Sequence, residues 1–185
     1  MKTKLISALA LAAAVVSAPA FAAAPMASLD RSFVEYTGEG PIGNNNINNN
    51  KNFYWMFESS GTYLGQAVNS WFLFYDPKKT REVSGTVTFD QPILFLFDDR
   101  AELKATASFG KPGVTYDYSR RTVGLEKDDK EDTSFAGNIL SLEWTAGNPG
   151  DHVRVMTAVP EASTYALLAM GLVGICFFVR RRRDD

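Results

Sequence analysis

The chain has 185 residues, 45% of them hydrophobic, and a formal net charge of −2 at pH 7. One cysteine, Cys176, and one histidine, His152, rule out a disulfide framework and leave too few ligands for a zinc or copper site. A mildly acidic balance is the wrong electrostatic footprint for nucleic acid.

Residues 1–22 read MKTKLISALALAAAVVSAPAFA. Lys2 and Lys4 form a basic start, Leu5 to Val16 an apolar stretch, and Pro19 a helix breaker. Ala20 and Ala22 place small side chains where a signal peptidase reads, so a secretory signal peptide cleaved after Ala22 is expected. The part expected to be exported, 23–158, carries thirteen basic and eighteen acidic side chains, a net charge near −5. It is long enough to bury a core.

Within it, Ser28 to Glu35 reads as a first strand. Gly38 to Asn52 holds seven asparagines and reads as a loop, Asn-rich over 43–52. Its amides suit a cation or polar sugars, and a solvated loop is the simpler reading. From Phe53 the chain turns aromatic and β-branched, with turn signals at Ser59-Ser60-Gly61, Asp76-Pro77 and Asp90-Gln91-Pro92. Val83, Gly85, Val87 and Phe89 alternate with Ser84, Thr86 and Thr88, the period of a half-buried strand. Ile93 to Phe97 is continuously apolar and predicts a central strand. Asp98 to Gly110 predicts the one short helix, capped by Asp98 or Asp99 and ended by Gly110. Strand pattern resumes over Val114–Glu126 and Thr133–Ala146, with a hairpin at Ala136-Gly137-Asn138, and again over His152–Thr157. The fold class expected is all-β: an antiparallel β-sandwich or jelly-roll-like exported domain with one short helix.

The remaining residues, 159–185, have three parts in order. Val159-Pro160-Glu161 comes first. Residues 162–179 follow without a charge and as a helix would span about 27 Å, close to a bilayer core. Arg180, Arg181, Arg182 and Arg183 then form a block that stays on the cytoplasmic side and stops transfer. Cys176 lies within the apolar run and reads as one more apolar residue.

This order of Pro-Glu, apolar span and arginine cluster resembles the PEP-CTERM sorting signal of Gram-negative bacteria. The family usually has proline where Ala162 stands. The stretches VSGTVTFDQPIL and NPGDHVRVMTAVPE also resemble, more weakly, the cargo domains of PEP-CTERM proteins. The resemblance implies that the chain is an exosortase substrate, cut near Pro160-Glu161 while the tail lies in the membrane, much as a GPI signal is discarded. On that reading Val159, Pro160 and Glu161 are recognised rather than catalytic.

Signals for chemistry are sparse. His152 has no nucleophile motif to serve and reads as a surface residue. Asp128, Asp129, Glu131 and Asp132 cluster in KDDKED, but Lys127 and Lys130 interleave them and would repel a cation, so a solvated hairpin tip is expected rather than calcium. Asp98 and Asp99 form a second pair. No catalytic residue, metal or cofactor is expected. Trp55, Tyr63, Trp71, Tyr75, Tyr116, Tyr118 and Trp144 read mainly as core, with a sugar-stacking face as the alternative.

The expectation is therefore a non-enzymatic exported protein, structural or adhesive in exopolysaccharide or biofilm. It would pass through an inner-membrane intermediate, held by the C-terminal helix, to the cell surface or extracellular matrix. Its partners would be signal peptidase, exosortase and exopolysaccharide, not nucleic acid. A carbohydrate-binding module is the alternative, and a small glycoside hydrolase with paired carboxylates a third reading.

Overall fold

The computed structural model describes residues 22–160. Among these the strands are β1 (Met26–Leu29), β2 (Ser32–Glu35), β3 (Asn52–Tyr63), β4 (Gln66–Tyr75), β5 (Arg81–Thr88), β6 (Ile93–Phe97), β7 (Ser134–Ala136), β8 (Ile139–Ala146) and β9 (Asp151–Ala158). The helices are α1 (Arg100–Ala105) and α2 (Lys127–Glu131), with a 3-10 turn at Ala107–Phe109. The strands form two sheets, in the orders β1-β5-β8-β7 and β2-β3-β4-β9-β6. Every pair is antiparallel except β2 with β3.

The four-stranded sheet turns one face inward. Val83 and Val87 of β5, and Leu140, Leu142 and Trp144 of β8, are buried and alternate with more exposed neighbours. They pack with Phe53, Trp55, Trp71, Leu73, Tyr75, Val153 and Val155 of the five-stranded sheet in one apolar cluster. Phe53 meets Trp144 at 5.2 Å between ring centroids. The five-stranded sheet is covered on its other face as well. There Met56, Phe72, Phe74 and Met156 pack with Ile42, Leu103 and Val123. Each fully buried Leu or Phe contributes about 1.5–3 kcal/mol. Burial on both sides is why WFLFY in β4 is apolar without alternation: Trp71, Leu73 and Tyr75 face one layer, Phe72 and Phe74 the other.

Several elements differ from the sequence expectation. Ser28–Glu35 is two strands in different sheets. The chain crosses at Asp30-Arg31, where Asp30 N donates to Ser84 O at 3.2 Å and the Arg31 guanidinium donates to Glu82 O at 2.8 Å. No turn forms at Ser59-Ser60-Gly61: β3 continues with a bulge between Phe57 and Ser59. The reversal falls at Leu64-Gly65, both at positive φ (47° and 81°), the geometry of a tight two-residue hairpin. Ile93–Phe97 is an edge strand, paired only with β9. Its unbroken apolarity reflects two covered faces, with Ile93 in one layer and Phe97 in the other. Val114–Glu126 forms no strand, only isolated bridges from Tyr116 to Ile42 and from Gly124 to Asp99 and Asp151. The KDDKED segment is helix α2, a second α-helix beyond the one expected, and not a hairpin tip.

Candidate functional site

Strand β9 delivers the chain directly to the Val-Pro-Glu segment. β9 lies between β4 and β6, with Val68 opposite Ala158 and Ile93 opposite Thr157. Ala158 N donates to Pro92 O at 2.9 Å, and Val159 N reaches Ala67 O at 3.4 Å. Pro160 has no N–H and ends this ladder. Val159 and Pro160 are half-buried, and no linker separates the sheet from them.

Glu161, the apolar run 162–179 and Arg180 to Arg183 lie outside the described residues, as do 1–21 with Ala20 of the expected signal peptide. Ala22 is described and packs against the core cluster. Among the described residues no helix is long and apolar enough to cross a membrane.

The inward residues of β9 carry the unusual chemistry. Arg154 is fully buried on the face toward α1. Its Nε donates to Glu58 Oε2 at 2.6 Å and its Nη2 to Glu58 Oε1 at 2.8 Å. Its Nη1 donates to Leu103 O at 3.0 Å and to Thr106 Oγ1 at 2.6 Å. Burial opposes the guanidinium charge, and Glu58 more than offsets it, so Arg154 titrates above its ordinary range. His152, expected at the surface, is 1% exposed, with its ring against Phe72 and Phe74. Neither ring nitrogen has a hydrogen-bond partner among the described residues. Burial pushes its pKa down to about 3, so the imidazole is neutral at pH 7.

Among the described residues two acidic groups come together, each with carboxylate oxygens within 4.8 Å of one another. The first is Asp98, Asp99 and Glu102. Its charge is met by Lys130, whose Nζ lies 2.7 Å from Asp98 Oδ1 and 3.5 Å from Asp99 Oδ2. Asp99 also caps α1, accepting from Ala101 N at 2.9 Å and Glu102 N at 3.1 Å. The amide of Glu102 is the main reason its carboxyl is held below the usual range. These acids are satisfied by the fold.

The second group is Glu126, Asp129 and Asp151. Glu126 stands at the N-cap position of α2 with its side chain free of any cap bond, Asp129 follows three residues on, and Asp151 opens β9. Asp129 Oδ1 accepts from Thr145 N at 2.9 Å, which ties α2 to β8. Trp144 Nε1 donates to Thr133 Oγ1 at 2.8 Å, and Thr133 Oγ1 donates to Asp129 O at 2.6 Å, fixing the end of α2. Asp151 is raised well above the ordinary carboxylate range, first by burial and then by Asp129 and Glu126 beside it. No contiguous pattern in the sequence assembles this group. Its one local trace is the i, i+3 spacing of Glu126 and Asp129, whereas Asp151 arrives only through tertiary structure.

The tryptophans offer no stacking surface, since Trp55, Trp71 and Trp144 are all buried. A surface depression lined by Asp30, Arg31, Ser32, Asn50, Lys51 and Arg81 holds one carboxylate and no facing pair.

With this geometry in view, the family model of the PEP-CTERM protein-sorting motif matches residues 158–183. The match begins on the last residue of β9 and covers Val159, Pro160, Glu161 and the arginine cluster. The chain is therefore a protein bearing a PEP-CTERM sorting motif, the signal that implies export and processing by an exosortase. No curated protein and no solved structure matches the chain.

Proposed function

We propose that this protein is a non-enzymatic component of the cell envelope or extracellular matrix, structural or adhesive within exopolysaccharide or biofilm. A signal peptide ending at Ala22 starts its export. The segment 162–179 halts in the inner membrane with Arg180 to Arg183 inside. Exosortase then cuts near Pro160-Glu161. The cargo delivered is a β-sandwich. The observation that carries this reading is the junction itself: the motif follows a fully built strand with no spacer.

Two observations support a structural rather than catalytic body. The buried charge of Arg154 on β9 is met in full by Glu58, Leu103 and Thr106 and serves the fold. The tryptophans are spent on the core, which does not favour a sugar-stacking module.

The test is deletion of Pro160 to Asp185, followed by cell fractionation and sizing. The wild-type chain is expected at the surface or in the matrix as a shortened species, and the deletion variant elsewhere. Equal location of the exported body in both, or a wild-type body longer than the variant's by the tail with Arg180 to Arg183, would refute the sorting role.

A further inference from the structure

We propose that Glu126, Asp129 and Asp151 form a calcium site at the junction of α2 and β9. The three offer carboxylate oxygens that all lie within 4.8 Å of one another. Oxygens sharing one calcium at 2.3–2.6 Å lie no more than about 5 Å apart, so a single ion can touch all three.

The independent observation is Asp151. It is 2% exposed, and its Oδ2 has no hydrogen-bond partner among the described residues. A buried carboxylate oxygen without a donor is costly unless something positive meets it. No lysine or arginine of the described residues forms an ion pair with any of the three acids. The lysines on α2, which in the sequence argue against a cation here, are engaged elsewhere. Lys130 bonds to Asp98 and Asp99, and Lys127 pairs with Glu131 at 3.5 Å on the exposed side. The helix thus sorts KDDKED by face and leaves the three acids without a counter-ion.

Calcium fits better than magnesium. Two of the acids are buried, at 6% and 2% exposed, which requires an ion that sheds water readily. Glu126 is exposed and leaves room for waters to complete six to eight oxygens. Bound there, calcium would tie α2 to the strand that leads into the sorting motif.

The test uses the full 185-residue chain, purified in detergent and freed of metal with chelator. Calcium chloride and, separately, magnesium chloride are titrated by calorimetry, and unfolding is followed by near-UV circular dichroism. One calcium per chain is expected, with a dissociation constant no weaker than about 1 mM, weaker magnesium binding, and a calcium-dependent rise in Tm. Asp151→Asn and Asp129→Asn should each weaken calcium binding by at least ~tenfold, since each removes one charged ligand. Glu126→Gln lies at the surface and keeps the fold, so its expected loss of affinity reads the site even where a buried variant does not fold. Absence of calcium binding up to about 10 mM, or full retention of it in Glu126→Gln, would overturn the proposal.

Discussion

Arg154 of β9 and Glu58 of β3 form a two-pronged ion pair with no solvent contact, at 2.6 and 2.8 Å, reaching over the intervening strand β4. Ser70 Oγ also donates to Glu58 Oε2 at 2.7 Å, and the guanidinium lies 5.4 Å from the Phe72 ring centroid. Removing one partner leaves a charge buried without an opposite. Glu58→Ala should cost about 3–5 kcal/mol, whereas the paired change Glu58→Leu with Arg154→Met should cost much less. Urea unfolding of the three proteins checks this, and a double variant no better than the single would contradict it.

Gly85 is required by the backbone. It stands opposite Leu29 at φ 136°, and a Cβ there would come within 2.1 Å of Ser28 O. Gly85→Ala should destabilise by more than about 3 kcal/mol and detach β1 from β5. Gly65 also has positive φ but open space around it, so Gly65→Ala should cost only about 1 kcal/mol. Thermal unfolding of the two variants separates clash from strain.

His152 makes the fold acid-sensitive. Its pKa is lowered to about 3 in the folded protein, against about 6.5 unfolded. The unfolded chain binds the extra proton first. The stability tied to a neutral His152 is therefore complete above about pH 6.5 and is lost as pH falls toward the folded value. In the metal-free protein Asp151, raised by burial, acts in the opposite sense and strengthens the fold as pH falls. Comparing His152→Leu with wild type, both freed of metal with chelator, cancels that second contribution. Relative to pH 7.5, the variant should gain roughly 3 kcal/mol over wild type at pH 4. A difference independent of pH would contradict the assignment.

β9 sets a limit on where the chain can be cut. It pairs β4 on one side and β6 on the other, and carries Val153, Val155 and Met156 into the core. A chain ending at Pro160 should retain the wild-type near-UV spectrum. One ending at Asn148 loses β9 and should not fold. A folded product of the shorter chain would show that β9 is dispensable.

Much of the strand content was legible in the residues. Val83 and Val87 alternate with polar neighbours because β5 buries one face, and the same holds for Leu140, Leu142 and Trp144 of β8. Placement was less legible. An unbroken apolar run reports two covered faces, so Ile93–Phe97 resembles a central strand while lying at an edge. Helix α2 has no signature in the sequence because KDDKED has no apolar stripe: the segment is held by Asp129 bonding to Thr145, a contact between residues distant in sequence. His152 reads as a surface residue for a related reason, since its burial depends on Phe72 and Phe74 of another strand. The sorting motif was fully legible because its elements are contiguous.

Exosortase processing is read most directly by mass spectrometry of the C-terminus of the exported protein from its native host. A chain ending close to Pro160-Glu161 is expected, with β9 intact and Arg180 to Arg183 gone. Recovery of the exported protein with Asp185 still in place would contradict it.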